Sequence, residues 1–117
     1  MDKKLKVLFI CTSNQDRSVS LENYFRDNYP QHDYRSAGVN KYFTSKKGTH
    51  YLTAEDIEWA ELIVYAEEIH YVVANRDFTA TGVWLKDSLN LNLGEYKQGQ
   101  IGEDYLLKAE SKLKNYI

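Results

Sequence analysis

The chain has 117 residues, room for one compact domain at the usual ~100 to 200 residues per domain. Apolar residues make up 43% and charged residues 27%, with only 6 Gly and 1 Pro, which excludes collagen-like, low-complexity and disordered classes. Fifteen Lys and Arg against seventeen Asp and Glu leave a net charge of -2, so no global field draws the chain to nucleic acid or to an anionic membrane, and any anion site must be local.

Met1 to Cys11 superficially resembles a lipoprotein signal, but Lys6 interrupts the apolar run and bulky Ile10 stands where a small residue precedes cleavage. No later run approaches the ~18 apolar residues of a membrane span. The chain reads as untargeted. One cysteine excludes an internal disulfide and a multi-cysteine zinc site, and suits a reducing compartment, the cytoplasm.

Leu5 to Ile10 is nearly all apolar, the pattern of a strand buried on both faces of a parallel sheet. Leu21, Tyr24, Phe25 and Asn28 fall at helical spacing before Pro30, which predicts a helix from Arg17 to Asn28. Asp33 to Ala37 suits an edge strand ending at Gly38, and the polar stretch Asn40 to His50 reads as loop or weak helix. Thr53 and Asp56 open a helix through Ala60 in capping-box fashion, followed by a second buried strand at Leu62 to Tyr65. Ala66, Ile69, Val72 and Val73 mark a helix, Val83 to Leu85 a short strand, and Leu106, Ala109, Leu113 and Tyr116 a closing helix. The alternation predicts an α/β fold: a small open parallel sheet of about four strands, helices on both faces, and right-handed crossovers.

The stretch Cys11-Thr12-Ser13-Asn14-Gln15-Asp16-Arg17-Ser18 lies between the first strand and the first helix. Ligands of open α/β sheets bind beyond the carboxyl ends of the strands, and the amides opening a helix form an anion cradle. A cysteine at that strand end, beside helix-start amides and a guanidinium, is favoured as the nucleophilic thiolate. Arg17 can fold back and grip two phosphate oxygens through its planar fork, which a lysine cannot do with the same geometry. Thr12 to Ser18 is therefore expected to be a phosphate-binding loop, with inorganic phosphate or sulfate as its simplest occupants.

Cys11, Asn14, Arg17 and Ser18, the helix run Leu21 to Arg26, the turn Ser36-Ala37-Gly38 and the run Thr53 to Ala60 together resemble the low-molecular-weight protein tyrosine phosphatases, most closely their short bacterial and phage branch. The resemblance covers most of the chain and implies a single phosphatase-like domain over residues 1–117. It implies Cys11 as the nucleophile that becomes a phosphocysteine, Arg17 as the phosphate clamp and Ser18 as a hydroxyl that eases departure of the thiolate. Asn14 and Ser36 are implied as the pair that braces the loop, and Tyr42 and Tyr96 as pocket-wall aromatics able to stack a phenyl ring. No metal or other cofactor is implied. Trp59 and Trp84 read as core, and His32, His50 and His70 as ordinary surface or capping residues.

The chain departs from the family at the proton donor. Anchoring on Tyr96 puts Gly94 where an Asp is expected, with Glu95 one position later. Glu95 is the first candidate for the acid, Asp87 and Asp104 are others, and a slow enzyme without an acid is a further reading. Asp16 is unusual inside a phosphate loop and is read as outward-facing or paired with a helix-start amide. Arsenate reductases share the loop but need further cysteines, which are absent. Three readings remain: a phosphatase of protein phosphotyrosine, a phosphatase of a small phosphorylated metabolite, and a binding module for phospho-ligands.

Overall fold

The computed structural model describes residues 4–14, 17–79, 88–91 and 103–117. Its strands are β1 (Lys6–Cys11), β2 (Asp33–Gly38), β3 (Leu62–Tyr65) and β4 (Ser88–Asn90), paired in the order β2-β1-β3-β4 with every pairing parallel. The helices are α1 (Arg17–Asn28), α2 (Lys41–Lys47), α3 (Ala54–Trp59), α4 (Glu68–Thr79) and α5 (Glu103–Leu113). This is the expected α/β class, and β2 lies at one edge of the described sheet, as expected. Sequence reasoning expected a strand at Val83 to Leu85, which lies outside the described residues, and did not anticipate β4.

Because successive side chains of a strand point to opposite faces, β1 feeds two cores at once. Val7 and Phe9 join Leu21 and Phe25 of α1 and Ala109 and Leu113 of α5, while Leu8 and Ile10 join Ile57, Ala60 and Ala74 on the other face. Strand β3 repeats the division, with Leu62 and Val64 in the first cluster and Ile63 and Tyr65 in the second. Full burial of both faces explains why both strands read as unbroken apolar runs. On the first face Phe9 and Phe25 stack at 5.5 Å, and Tyr24 and Tyr29 both donate hydrogen bonds to Glu110, fastening α5 to α1.

The stretch read as loop or weak helix contains α2, capped by Asn40, whose side chain accepts from the Phe43 amide at 2.9 Å, and closed by Gly48 at φ 68°. Glycine meets that left-handed turn without strain. Helix α4 corrects another expectation. Its apolar spacing suggested that Ile69 and Val72 face the core, but they are 57% and 49% exposed, and Ala74 and His70 are buried instead. Tyr116 is likewise exposed beyond the end of α5, and Trp59 is only partly buried, with the Arg35 guanidinium 4.3 Å from its ring centroid. Trp84 lies outside the described residues.

The capping box of α3 forms as the sequence indicates: Thr53 Oγ1 accepts from the Asp56 amide at 3.1 Å, and Asp56 Oδ2 accepts from the Thr53 amide at 3.0 Å. Asp56 also meets His50 Nε2 at 2.6 Å and Arg35 at 3.2 Å. Burial alone would push its pKa up, but the hydrogen bonds from His50 and Thr53 outweigh it and hold the carboxyl below its ordinary value. A depressed carboxylate stabilises the fold above the unfolded-state pKa of about 4, and that contribution is lost as pH falls through the lower folded value. Urea titrations from pH 7 down to pH 3 should therefore show falling stability in the wild type. Asp56→Asn should start less stable at pH 7 and lose less across the same interval.

Candidate active site

Cys11 is the last residue of β1 and is 3% exposed, and Ser18 stands in the first turn of α1 with its Oγ 3.0 Å from Cys11 Sγ. The strand end thus meets a helix start, where aligned peptide dipoles favour an anion. Asn14 joins the two across the loop. Its backbone adopts φ 53°, a left-handed conformation that Asn tolerates better than most residues, and its side chain is buried. Its carboxamide donates to Ser18 Oγ and Ser36 Oγ, each at 2.9 Å, and accepts from the His50 amide at 3.2 Å. Ser36 passes its own proton on to Glu22. Ser18 Oγ accepts from Asn14 and keeps its own proton, which can be given to the sulfur when Cys11 is a thiolate, while a thiol could instead donate to the remaining lone pair of the oxygen.

The loop's carbonyls are tied to neighbouring segments. Cys11 O accepts from the Val39 amide and Thr12 O from the Asn40 amide, both at 2.9 Å, and Ser13 O accepts from the Thr49 hydroxyl. No described peptide bond is cis, and in a planar trans peptide the N–H points opposite to the preceding carbonyl. Three consecutive amides, those of Thr12, Ser13 and Asn14, are therefore turned away from the residue 39–49 segment. Gly38 makes this closeness possible. A Cβ built there would lie 2.7 Å from Thr12 O and 2.8 Å from Asn14 N, both backbone atoms.

Arg17 opens α1 with Nη2 3.5 Å from Thr12 Oγ1 and Nη1 4.0 Å from Glu67 Oε1. Thr12 Oγ1 also meets Nε2 of His70 at 3.0 Å, and the ring's Nδ1 accepts from the Glu67 amide at 3.1 Å. Burial and the Arg17 charge lower the His70 pKa to about 4, so the ring is neutral at physiological pH.

A cavity of about 380 Å³ adjoins the loop at Thr12, walled by Val39, Tyr51, Ile69, His70 and Val73. Tyr42 is 65% exposed, packs edge-on against Phe43 and does not line this cavity. Tyr51 supplies the aromatic wall, aimed there because Gly38 bridges to it in parallel register. Gln15, Asp16, Asp87, Gly94, Glu95 and Tyr96 lie outside the described residues, and Asp104 is exposed on α5. The structure thus brings together Cys11, Thr12, Ser13, Asn14, Arg17, Ser18 and Ser36. Of the histidines read as surface or capping residues, His50 is half-exposed and tied to this assembly by its backbone amide, His70 caps the start of α4 and also meets Thr12, and His32 is buried with its Nδ1 accepting from the Leu5 amide. Sequence reasoning also missed Glu22, Thr49, Tyr51 and Glu67. The only signal for His70 was its place three residues after Glu67 at a helix start.

No protein-family model and no curated protein matches the sequence. Solved structures do match. The YwlE arginine phosphatase of Geobacillus stearothermophilus superposes with a TM-score of 0.66 at 20% identity, covering 94% of this chain and 86% of its own. A low-molecular-weight protein tyrosine phosphatase of Bacillus subtilis gives 0.67 at 20% identity over 95% and 98%. Vibrio vulnificus Wzb, in complex with benzylphosphonate, gives 0.65 at 14% identity over 97% and 94%. The fold is that of the low-molecular-weight protein tyrosine phosphatases.

Gly38→Ala should force the added methyl against loop backbone. Overpacking of this kind costs ~1 to 3 kcal/mol. A lowered thermal midpoint together with weaker phosphate binding is the expected result, since the atoms that must shift belong to the loop itself.

Proposed function

We propose that residues 1–117 form a single phosphatase-like domain that hydrolyses phosphate monoesters, with protein phosphotyrosine as substrate and a phosphocysteine as intermediate. The observation that most supports this reading is the contact of 3.0 Å between Cys11 Sγ and Ser18 Oγ at the start of α1, in which Ser18 has a proton to give to the sulfur. Thr12, Ser13, Asn14, Gln15, Asp16, Arg17 and Ser18 form the phosphate loop, braced by Asn14 and Ser36. Tyr42 and Tyr96 are the substrate-pocket aromatics of this reading, Tyr42 standing outside the cavity beside Thr12. The reaction uses no cofactor, and the protein works in the cytoplasm on a phosphorylated protein or a small phosphomonoester, away from nucleic acid and membrane. Among the described residues no helix is long and apolar enough to cross a membrane.

In the first step the Cys11 thiolate attacks phosphorus in line, a sulfur–phosphorus bond forms and the phosphorus–oxygen ester bond breaks. The leaving phenolate takes its electron pair and a proton from an acid, with Glu95 the first candidate. Water then attacks phosphorus and gives its proton back to the conjugate base of that acid, a phosphorus–oxygen bond forms as the sulfur–phosphorus bond breaks, and phosphate departs while the Ser18 hydroxyl stabilises the returning thiolate. Fixed amides and the Arg17 fork stabilise the equatorial oxygens in both steps. Cys11→Ser should abolish turnover of an aryl phosphate while largely keeping affinity for inorganic phosphate. Arg17→Lys should weaken both, because bidentate contact is lost. Unchanged turnover in Cys11→Ser would end the covalent mechanism.

Gly94 at the expected Asp position favours a second reading, a binding module with weak turnover. A rate series across phenols of different acidity separates the two. If Glu95 donates the proton, Glu95→Gln should slow basic leaving groups by about 10² and leave activated esters nearly untouched. Parallel dependences for wild type and Glu95→Gln would remove Glu95 from the mechanism, and Gly94→Asp would then be expected to speed the basic leaving groups.

A further inference from the structure

His70 is buried at 1% exposure, and its two ring nitrogens are both committed. It occupies the third position of α4, and Nδ1 accepts the amide hydrogen of Glu67, the part that a Glu side chain plays in a capping box. That bond fixes the tautomer. With the Nδ1 lone pair so engaged, the proton is on Nε2, which donates to Thr12 Oγ1 at 3.0 Å across 58 residues of sequence. Arg17 Nη2, a second donor, approaches the same oxygen at 3.5 Å.

A threonine hydroxyl has two lone pairs and one proton. The lone pairs of Thr12 Oγ1 face two donors that cannot accept, which leaves its own proton available to a third group. Thr12 and His70 border the same cavity beside the loop. We propose, on the reading of the loop as a phosphate site, that His70 is a positioning residue: it holds the Thr12 hydroxyl so that its proton is presented to an oxygen of the bound phosphate monoester. A histidine serves here only while neutral. Protonation would set a ring N–H against the Glu67 N–H and a second positive charge beside Arg17, which agrees with a pKa lowered by burial and by that guanidinium.

The test is a double-mutant cycle read by calorimetric titration with inorganic phosphate and by kcat and KM for an aryl phosphate. Thr12→Val and His70→Phe should each weaken phosphate about tenfold, the worth of one hydrogen bond. The double variant should be no weaker than the worse single variant, because His70 acts through Thr12. His70→Gln keeps a donor and a capping acceptor and should stay within about threefold of wild type. That rescue would also exclude proton transfer by the imidazole. If His70→Phe fails to fold, His70→Asn, whose shorter side chain keeps an acceptor for the Glu67 amide but no longer extends to Thr12, takes its place in the cycle. Additive losses in the double variant, or a His70 variant that binds phosphate like wild type and differs only in thermal midpoint, would overturn the proposal. A wild type that neither binds phosphate nor turns over aryl phosphate would instead remove the phosphate-site reading itself, and the positioning role would fall with it.

Discussion

On the proposed phosphate-site reading, the loop after β1 offers its backbone N–H groups to an anion and cannot spend those groups on holding its own shape. The shape must be imposed through carbonyls and side chains, and here most of that constraint runs through one carboxamide. Asn14 links Ser18 at the helix start, Ser36 on the edge strand and the His50 amide, so a change in any of the three is felt at the loop. The carbonyls of Cys11, Thr12 and Ser13 are drawn the other way by Val39, Asn40 and Thr49. A peptide held by its oxygen has little freedom left to rotate, and the opposing amides are fixed without being touched. Preorganisation of this kind is what makes fixed dipoles effective on developing charge, since nothing needs to reorient when the ligand arrives.

The scaffold serves the same constraint. Strand β1 lies between β2 and β3, and its side chains are buried in both cores, so the position of Cys11 is determined from four directions. Close packing at organic-crystal density transmits small displacements rather than absorbing them. The second face adds a polar layer, in which Asp56 gathers His50, Arg35 and the Thr53 cap beneath the segment that carries the His50 amide to Asn14. The capping box of a short helix is thereby coupled to the loop through His50.

The legible part of this molecule was the part encoded locally. Strands buried on two faces announce themselves as apolar runs, a capping box needs only Thr53 and Asp56, and the spacing from Cys11 to Ser18 lies within one strand–loop–helix unit. What could not be read depends on partners distant in the chain. His70 matters because of Thr12, 58 residues earlier, and Thr49 because of Ser13, 36 residues earlier. A lone histidine or threonine gives no sign of such a partner. Helix α4 misled for a related reason: Ile69 and Val73 serve the cavity wall, so an apolar face that looks made for the core belongs partly to the site. Tyr51, which the sequence did not single out, lines the cavity and bridges to Gly38 across 13 residues of chain.

The central placement of β1 also bears on the order in which the molecule assembles. A parallel neighbour can be supplied only after a crossover, so β1 does not have both edges paired until β2 and β3 have each been positioned, and such long-range pairing is slow relative to helix formation. Helix α1 can form early from local contacts, with Arg17 and Ser18 already at its start. The loop before it cannot be completed then, because its carbonyl partners stretch from Val39 to Thr49 and His70 lies beyond β3. The loop after β1 is thus held in its final shape only when segments as far along as His70 are in place, although its residues are among the first in the chain. A partly folded chain retains the Cys11 thiol without the surroundings that direct its chemistry.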